Sequence, residues 1–316
     1  MNCSEQIELL IERQLREWPL VADNYAALER LALRSVSLAH SEVILQHNPE
    51  RRRSSAARVD AAALAARPCF LCREHQPAEQ EAVEWGGAYK IQVNPYPIFP
   101  SHLTIAALDH VPQRLEPRRI DHLLQLAEEL PDWVLFYNGP RSGASAPDHF
   151  HFQAGCKGVM PLCDEVMNPA LWPDDERIEA TDDGFIGFTQ RLDHPLFFIR
   201  CESAALAGFY MARLQVAMML ATGSADEPMQ NVLCWHDGDY HNVVVFPRSK
   251  HRPDCYGEGD GQYLLSPASV DMGGLWVVAN EDDYNRLTAA DVQTLYDELC
   301  ADNATIVRII DHFHNT

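Results

Sequence analysis

"SGASAPDHFHFQAG", residues 142–155, ends on an alternation: His149, Phe150, His151, Phe152, Gln153. Successive side chains of a β-strand point to opposite faces, so the two histidines and the glutamine share one face and both phenylalanines take the other. The phenylalanine face calls for burial. The polar face calls for chemistry. A neutral imidazole can attack an electrophile and later leave, because its pKa lies near neutrality. One histidine in such a place is most simply a hydrogen-bonded surface or core residue. H-x-H-x-Q behind a Gly/Ser loop points instead to a site. Gly139, Gly143, Ala144 and Ser145 are small enough for backbone N–H groups to approach a phosphate.

Around this stretch the pattern is strand-like. "YKIQVNP", "HLTIAAL" and "WVLFYNG" read as strands, with a helix over about residues 117–130 between the last two. Upstream, helical periodicity runs over residues 4–16 and about 24–47. "NPERRRSS" reads as a loop whose three arginines are solvated, and "AARVDAAALAAR" as a short helix. Downstream, "NPALWPDDERIEATDDG" reads as the domain boundary. Beyond it "FIGFTQ" and "LFFIRC" are strands, and "ESAALAGFYMARLQVAMMLATG" is a helix stopped by Gly223. "QNVLCWHDGDYHNVVVFP" is a hairpin with Asp237-Gly238 as a two-residue turn. "QYLLSPA" and "GLWVVAN" are further strands. Two helices close the chain, the first with Thr288 and Asp291 as a capping box. Hairpin-joined strands with helices between them make an α+β chain of antiparallel sheets. The two halves are alike in order of elements and share no visible sequence repeat.

Composition narrows the function. The 316 residues suffice for one large core or two ordinary ones, and 47% hydrophobic with 22% charged residues is a globular balance. A net charge of −21 disfavours nucleic acid and anionic membranes as partners. No apolar run reads as membrane-spanning, and the acidic, amphipathic N-terminus is unlike a signal peptide, so a cytoplasmic location is expected. Nine cysteines fit reduced thiols. An anionic ligand would need local cations, and Arg141, Lys157, Arg248 and Lys250 are the candidates. "FPRSKHR" (246–252) follows a strand and reads equally as a phosphate-facing loop or an exposed polar one.

"CFLC" places Cys69 and Cys72 at a spacing that lets two thiolates grip one zinc ion if two further ligands arrive from elsewhere. A redox dithiol lacks its strand-to-helix context here, and two ordinary buried cysteines remain the plain alternative. His102, His110, His149 and His151 are the histidines available. His236 and His241 flank a turn and read as solvent-facing. Trp235, Trp276, Phe197 and Phe198 read as core, and Cys234, Cys255 and Cys300 carry no motif.

"NPYPIFPSHLTIAALDH … FYNGPRSGASAPDHFHFQAG" resembles the histidine-triad superfamily, specifically its transferase branch of uridylyltransferases and phosphorylases. The signature covers roughly residues 69–155, and a looser likeness through "NVVVFPRSK" and "GGLWVV" extends to about residue 280. The resemblance implies a HIT-like antiparallel sheet with flanking helices. It divides the chain into an N-terminal helical extension (1–66), a catalytic HIT-like half (67–165), a connection (166–182) and a second, degenerate HIT-like half (183–316). It implies a nucleotidyltransferase or phosphorylase acting on a nucleoside diphosphate sugar or dinucleoside polyphosphate. The partner molecules are then a nucleotide and a phosphate or sugar-phosphate acceptor.

By the same resemblance His151 is the nucleophile that takes up a nucleoside monophosphate. His149 joins Cys69, Cys72 and His110 as ligands of a structural zinc ion, with His102 the second choice for the place of His110. Gln153 stands where hydrolytic members carry a third histidine. An amide can donate a hydrogen bond to a phosphoryl oxygen but cannot deliver a proton, which fits a transferase better than a hydrolase. Asn94 matches the base or ribose region. Asn138, Ser142, Gly143 and Ser145 match the phosphate loop, and Arg141, Arg248 and Lys250 complete the substrate-binding set. Asp148 departs from the pattern, which has proline there; the acid could tune phosphate affinity or hold a histidine tautomer. A nucleotide hydrolase, or a zinc-stabilised nucleotide-binding protein without catalysis, are the competing readings.

Overall fold

A computed structural model describes residues 2–52, 56 and 59–316. Ten strands form one continuous antiparallel sheet: β3 Val83–Trp85, β4 Tyr89–Val93, β5 His102–Ala107, β6 Trp133–Asn138, β7 His151–Cys156, β8 Arg177–Thr181, β9 Gly184–Thr189, β10 Leu196–Cys201, β11 Gln230–His236 and β12 His241–Pro247. Their spatial order is β3-β4-β5-β7-β6-β11-β12-β10-β9-β8. Read outward from the β6–β11 seam, both sides repeat one connectivity, with a helix crossing between the third and fourth strands of each. The seam is registered by Asn231 opposite Asn138 and Leu233 opposite Phe136.

The sheet is buried on both faces, which is why its central strands read as continuous apolar runs. In β6, Leu135 and Tyr137 pack on the helix-covered face, while Val134 and Phe136 join the opposite core. The first face is covered by helices Pro117–Glu129, Ala204–Thr222 and Asn303–Asn315. Pro117–Glu129 turns Ile120, Leu123, Leu124 and Ala127 inward, a 3–4 spacing that makes one apolar stripe. Phe150 and Phe152 are fully buried there, ring centroids 4.9 Å apart, each burial contributing roughly 1.5–3 kcal/mol.

Several expectations change. The helical reading of residues 24–47 fails: a helix spans Pro19–Leu28, and the rest forms strands β1 Ala32–Ser37 and β2 Glu42–His47. With β13 Leu275–Val278 they make a separate three-stranded sheet, β13 lying parallel to β2. The N-terminal region is therefore not purely helical. The connection contains the edge strand β8, and its Trp172 is buried. "QYLLSPA" forms no strand beyond an isolated bridge at Tyr263. The hairpin tip is Gly238-Asp239, between Asp237 and Tyr240. Three helices, Glu281–Arg286, Ala289–Leu299 and Asn303–Asn315, close the chain, and the Thr288–Asp291 capping box is present. Gly223 ends its helix at φ 66°, a left-handed cap that favours glycine. That helix, Ala204–Thr222, is by length and composition apolar enough to cross a membrane, contrary to the sequence reading. Here Tyr210, Met211, Leu214 and Met218 are buried in the core it shares with Ile309 and Phe313. All nine cysteines are free thiols.

Candidate functional site

A cavity of about 650 Å³ opens on the face of the sheet away from the long helices. Its floor is the polar face of the first half: Asn94 after β4, Thr104 on β5, His151 and Gln153 on β7, and Phe136 and Asn138 on β6. Trp18, Arg51, Arg67 and Phe70 wall it on the N-terminal side, and Ser266, Ala268, Val270 and Asp271 contribute from the C-terminal side.

His151 begins β7 and is 5% exposed. Its Nδ1 lies 2.9 Å from the carbonyl of His149. A carbonyl only accepts, so Nδ1 carries the proton and Nε2 keeps the lone pair. Burial lowers the ring's pKa to about 4, which keeps the imidazole neutral at physiological pH. Gln113 holds the strand end: its Oε1 accepts from His151 N at 2.8 Å, and its Nε2 donates to the carbonyls of His151 and Asn138 at 3.0 Å. Nothing in the sequence around "HVPQR" signals this.

Next to the nucleophilic candidate, Cys69, Cys72, His110 and His149 converge, their ligand atoms all within 4.8 Å of one another. The Nδ1 of His149 is 3.4 Å from Cys69 Sγ and 3.5 Å from Cys72 Sγ, and His110 Nδ1 is 3.2 Å from Cys72 Sγ. A tetrahedral ion about 2.3 Å from sulfur and 2.0–2.1 Å from nitrogen sets sulfur–nitrogen edges of roughly 3.5 Å. The donor set fits. His149 Nε2 donates to the Ala107 carbonyl at 2.9 Å, which leaves Nδ1 free to ligate, the outer bond that metal-binding histidines use. Burial pushes the Cys72 thiol up to about 11, with neighbouring Cys69 adding to the shift, so its ionisation calls for a positive charge alongside. The four groups can hold a metal ion. His149 precedes the strand, so its ring joins this cluster while only His151 and Gln153 face the cavity.

The other expected residues divide. Asn94, Asn138, Gly143 and Ser145 line the cavity with His151 and Gln153. Asn94 has both ends of its amide engaged, donating to Thr104 Oγ1 and accepting from Tyr96 N. The backbone cradle does not form as expected: the N–H groups of Ser142 and Ala144 bond the Gly139 carbonyl, and that of Gly143 bonds His251 Nδ1. Gly143 sits at φ 94°, where a Cβ would come within 2.6 Å of the Ala268 Cβ. The Ser142 side chain is fully buried and does not line the cavity.

The expected cations lie elsewhere. Arg141 bonds Ser224 Oγ and the Glu227 carbonyl at the surface. Lys157 Nζ bonds the His236 carbonyl. Lys250 pairs with Asp254 and Glu298. Arg248 is 3% exposed and bonds the carbonyls of Leu299, Pro267 and Lys250 and the side chain of Asn231. None of the four lines the cavity. Its arginines are Arg51 and Arg67, and Asp271 is the one carboxylate among the described lining residues. Arg51, read from sequence as solvated, is half-buried and bonds the Tyr96 carbonyl; Arg52 is exposed and pairs with Glu258; Arg53 lies outside the described residues. Arg67 pairs with Asp148 at 3.0 Å, so the unexpected acid holds an arginine rather than a histidine tautomer. His102 stands outside the cysteine–histidine cluster, its Nε2 against Gln153.

Residues 10–156 match a family described as a domain of unknown function (DUF4922). No curated protein matches the sequence. Among solved structures, yeast Ap4A phosphorylase Apa2 superposes with TM-score 0.59 at 17% identity, over 89% of this chain and 96% of that one. The same yeast enzyme in complex with Ap4A superposes with TM-score 0.58 at 17% identity, over 91% of this chain and 97% of that one. The chain thus has the fold of an Ap4A phosphorylase, the HIT-like architecture that its histidine motif implied.

Proposed function

We propose that this protein is a nucleotidyltransferase of the phosphorylase type, working through a nucleotidyl group carried on His151 Nε2. The observation that carries the reading is a neutral, buried imidazole on a cavity wall, with Nδ1–H held by a carbonyl and Nε2 left as the nucleophile. The Nε2 lone pair attacks the α-phosphorus, a phosphorus–nitrogen bond forms, and the bond to the bridging oxygen breaks. The leaving group departs as an anion, a sugar phosphate from a nucleoside diphosphate sugar or a nucleoside polyphosphate from a dinucleoside polyphosphate, with no proton required. An acceptor phosphate oxygen then attacks the same phosphorus, the phosphorus–nitrogen bond breaks, and His151 returns to its neutral form.

Charge on the transferred group needs donors already in place. Gln153 and Asn138 supply amides, and Arg51 and Arg67 are the guanidinium groups of the lining, Arg67 already paired with Asp148, in a chain of net charge −21. Burial lowers Arg51 to about 10, still charged at neutral pH. A nucleoside diphosphate sugar or a dinucleoside polyphosphate is the substrate class, supported by the fold shared with an Ap4A phosphorylase. In this reading residues 67–165 carry the chemistry and residues 183–316 back it. Zinc suits the thiolate–imidazole set and would brace the CFLC loop against His149.

Incubation with α-labelled Ap4A, UDP-glucose and GDP-mannose should leave an acid-labile, base-stable label on the protein, and His151→Asn should abolish it. Products formed with inorganic phosphate present and absent separate a phosphorylase from a hydrolase. Turnover without any protein-bound label, unchanged by His151→Asn, would overturn the reading.

A further inference from the structure

Two chains of hydrogen bonds run from buried donors to the cavity wall, and each has only one possible direction. The first starts at the backbone N–H of Ile98, which donates to His102 Nδ1 at 3.2 Å. An N–H cannot accept, so Nδ1 is the bare nitrogen and the proton sits on Nε2. That Nε2 is 3.1 Å from Gln153 Oε1, so His102 donates and the glutamine carbonyl is consumed from behind. The Gln153 NH2 is what remains for the cavity. His102 is fully buried, and burial, with the Arg51 charge nearby, lowers it to about 3, so its proton count stays fixed.

The second chain starts at Arg248, which has donors alone. Its Nη1 donates to Asn231 Oδ1. Asn231 Nδ2 then donates to Asn138 Oδ1 at 2.8 Å and to the Ser142 carbonyl at 2.6 Å. Ser269 N also donates to Asn138 Oδ1 at 2.8 Å. With its oxygen doubly occupied, Asn138 meets the cavity through its NH2 group. Asn231 and Arg248 are buried; Asn231 lies on β11 and Arg248 directly follows β12.

We propose that His102 and the Arg248–Asn231 pair are positioning residues that lock the Gln153 and Asn138 amides donor-first toward the ligand, making the wall beside His151 a surface that accepts phosphoryl oxygens and rejects donors. This rests on the phosphoryl-binding reading above and adds the devices that impose its polarity. It also accounts for a loop whose Ser142, Gly143 and Ala144 N–H groups are bonded within the protein.

The 15N shifts of His102 in the wild-type protein test the first chain with no substrate: an Nε2–H tautomer is expected, and an Nδ1–H tautomer overturns the proposal. Binding of AMP, GMP and UMP, each against its own nucleoside, tests the consequence. His102→Asn keeps an acceptor near Nδ1 and loses the donor; His102→Gln keeps a donor near Nε2. The affinity ratio of nucleotide to nucleoside should fall about tenfold in His102→Asn and stay within about threefold of wild type in His102→Gln. Asn231→Asp, which still accepts from Arg248 but cannot donate to Asn138, should lower the ratio similarly. In a Gln153→Ala background the His102→Asn loss should vanish, since the residue acts through that amide. Equal losses in the Asn and Gln variants, or an unchanged ratio in His102→Asn, overturn the proposal. Wild-type protein that binds no nucleotide better than its nucleoside refutes the phosphoryl reading instead, and the tautomer still reports on the lock.

Discussion

β7 and β12 hold the same place in the two halves of the sheet, and each begins with a histidine. The parity differs. On β7, His151 and Gln153 face the cavity and Phe152 faces the long helices. On β12, Val243 and Val245 face the long helices, so His241 falls on their side. The face that carries the cavity in the first half holds Val244 and Phe246 in the second, packed with Trp235 and Trp276. One connectivity therefore supports a site on one side and a core on the other, decided by which residues occupy alternate positions. The second half still serves the site, through Asn231 and Arg248 behind the wall.

The sharpest way to break this comparison is to exchange the two histidines for asparagine in turn. His151→Asn should reduce labelling by at least about a thousandfold, since the attacking atom is gone. His241→Asn should leave the label on the folded protein. Comparable loss in both would mean that strand parity does not separate site from scaffold. Phe246→Ala probes the opposite claim. It removes a fully buried ring and should cost about 3–5 kcal/mol in denaturant unfolding, with labelling per folded molecule retained. A cost below about 1 kcal/mol would show that this face is not a tight core.

Asp271 comes next in size. Its carboxyl lines the cavity, and burial raises it from an ordinary 3.8 to about 6, against the N–H donors of Ala268 and Val277. The unfolded chain releases this proton near pH 3.8 and the folded one near 6, so the group's contribution is fully present below about 3.8 and is lost as pH rises through about 6. Stability should fall by roughly 3 kcal/mol over that window, and Asp271→Asn should flatten the fall. The slope is the readout, because asparagine offers one acceptor to two N–H groups and shifts the baseline as well. An unchanged slope in the variant would remove Asp271 as its source.

What was legible in the sequence was local. β4–β7 and β9–β12 show as apolar or alternating runs, and Gly223 and the Thr288–Asp291 box mark helix ends by residue type alone. Cys69, Cys72 and the histidines stand out as a group able to hold a metal ion because few other arrangements use those side chains together. β1 and β2 pair as a local hairpin, yet their apolar positions also fit a helical spacing, and the other partner of β2, β13, lies more than two hundred residues later. Charge was the least legible feature. Arg248 looks like a phosphate ligand and is sealed behind the wall, whereas Arg51 looks like loop decoration and lines the cavity. Whether an arginine faces inward or outward depends on contacts such as Tyr96 and Asn231, which no local pattern encodes.

The cysteine–histidine cluster is a further asymmetry between the halves, since no comparable group lies near β12 among the described residues. His149 links it to the chemistry: its ring sits among the thiols, and its carbonyl holds the His151 Nδ1 proton. A bound ion would therefore fix the tautomer and aim of the nucleophile without touching the ligand. Cys69→Ser should release that brace and slow labelling by roughly ten- to a hundredfold, the range seen when support around a metal site is lost. Wild-type protein purified without chelator should carry about one zinc ion per chain, as a four-ligand site requires, and the variant much less. If chelation strips the ion while His151 labels at an unchanged rate, the cluster merely pins the CFLC loop, and β7 keeps its geometry through Gln113 and its pairing with β5 and β6.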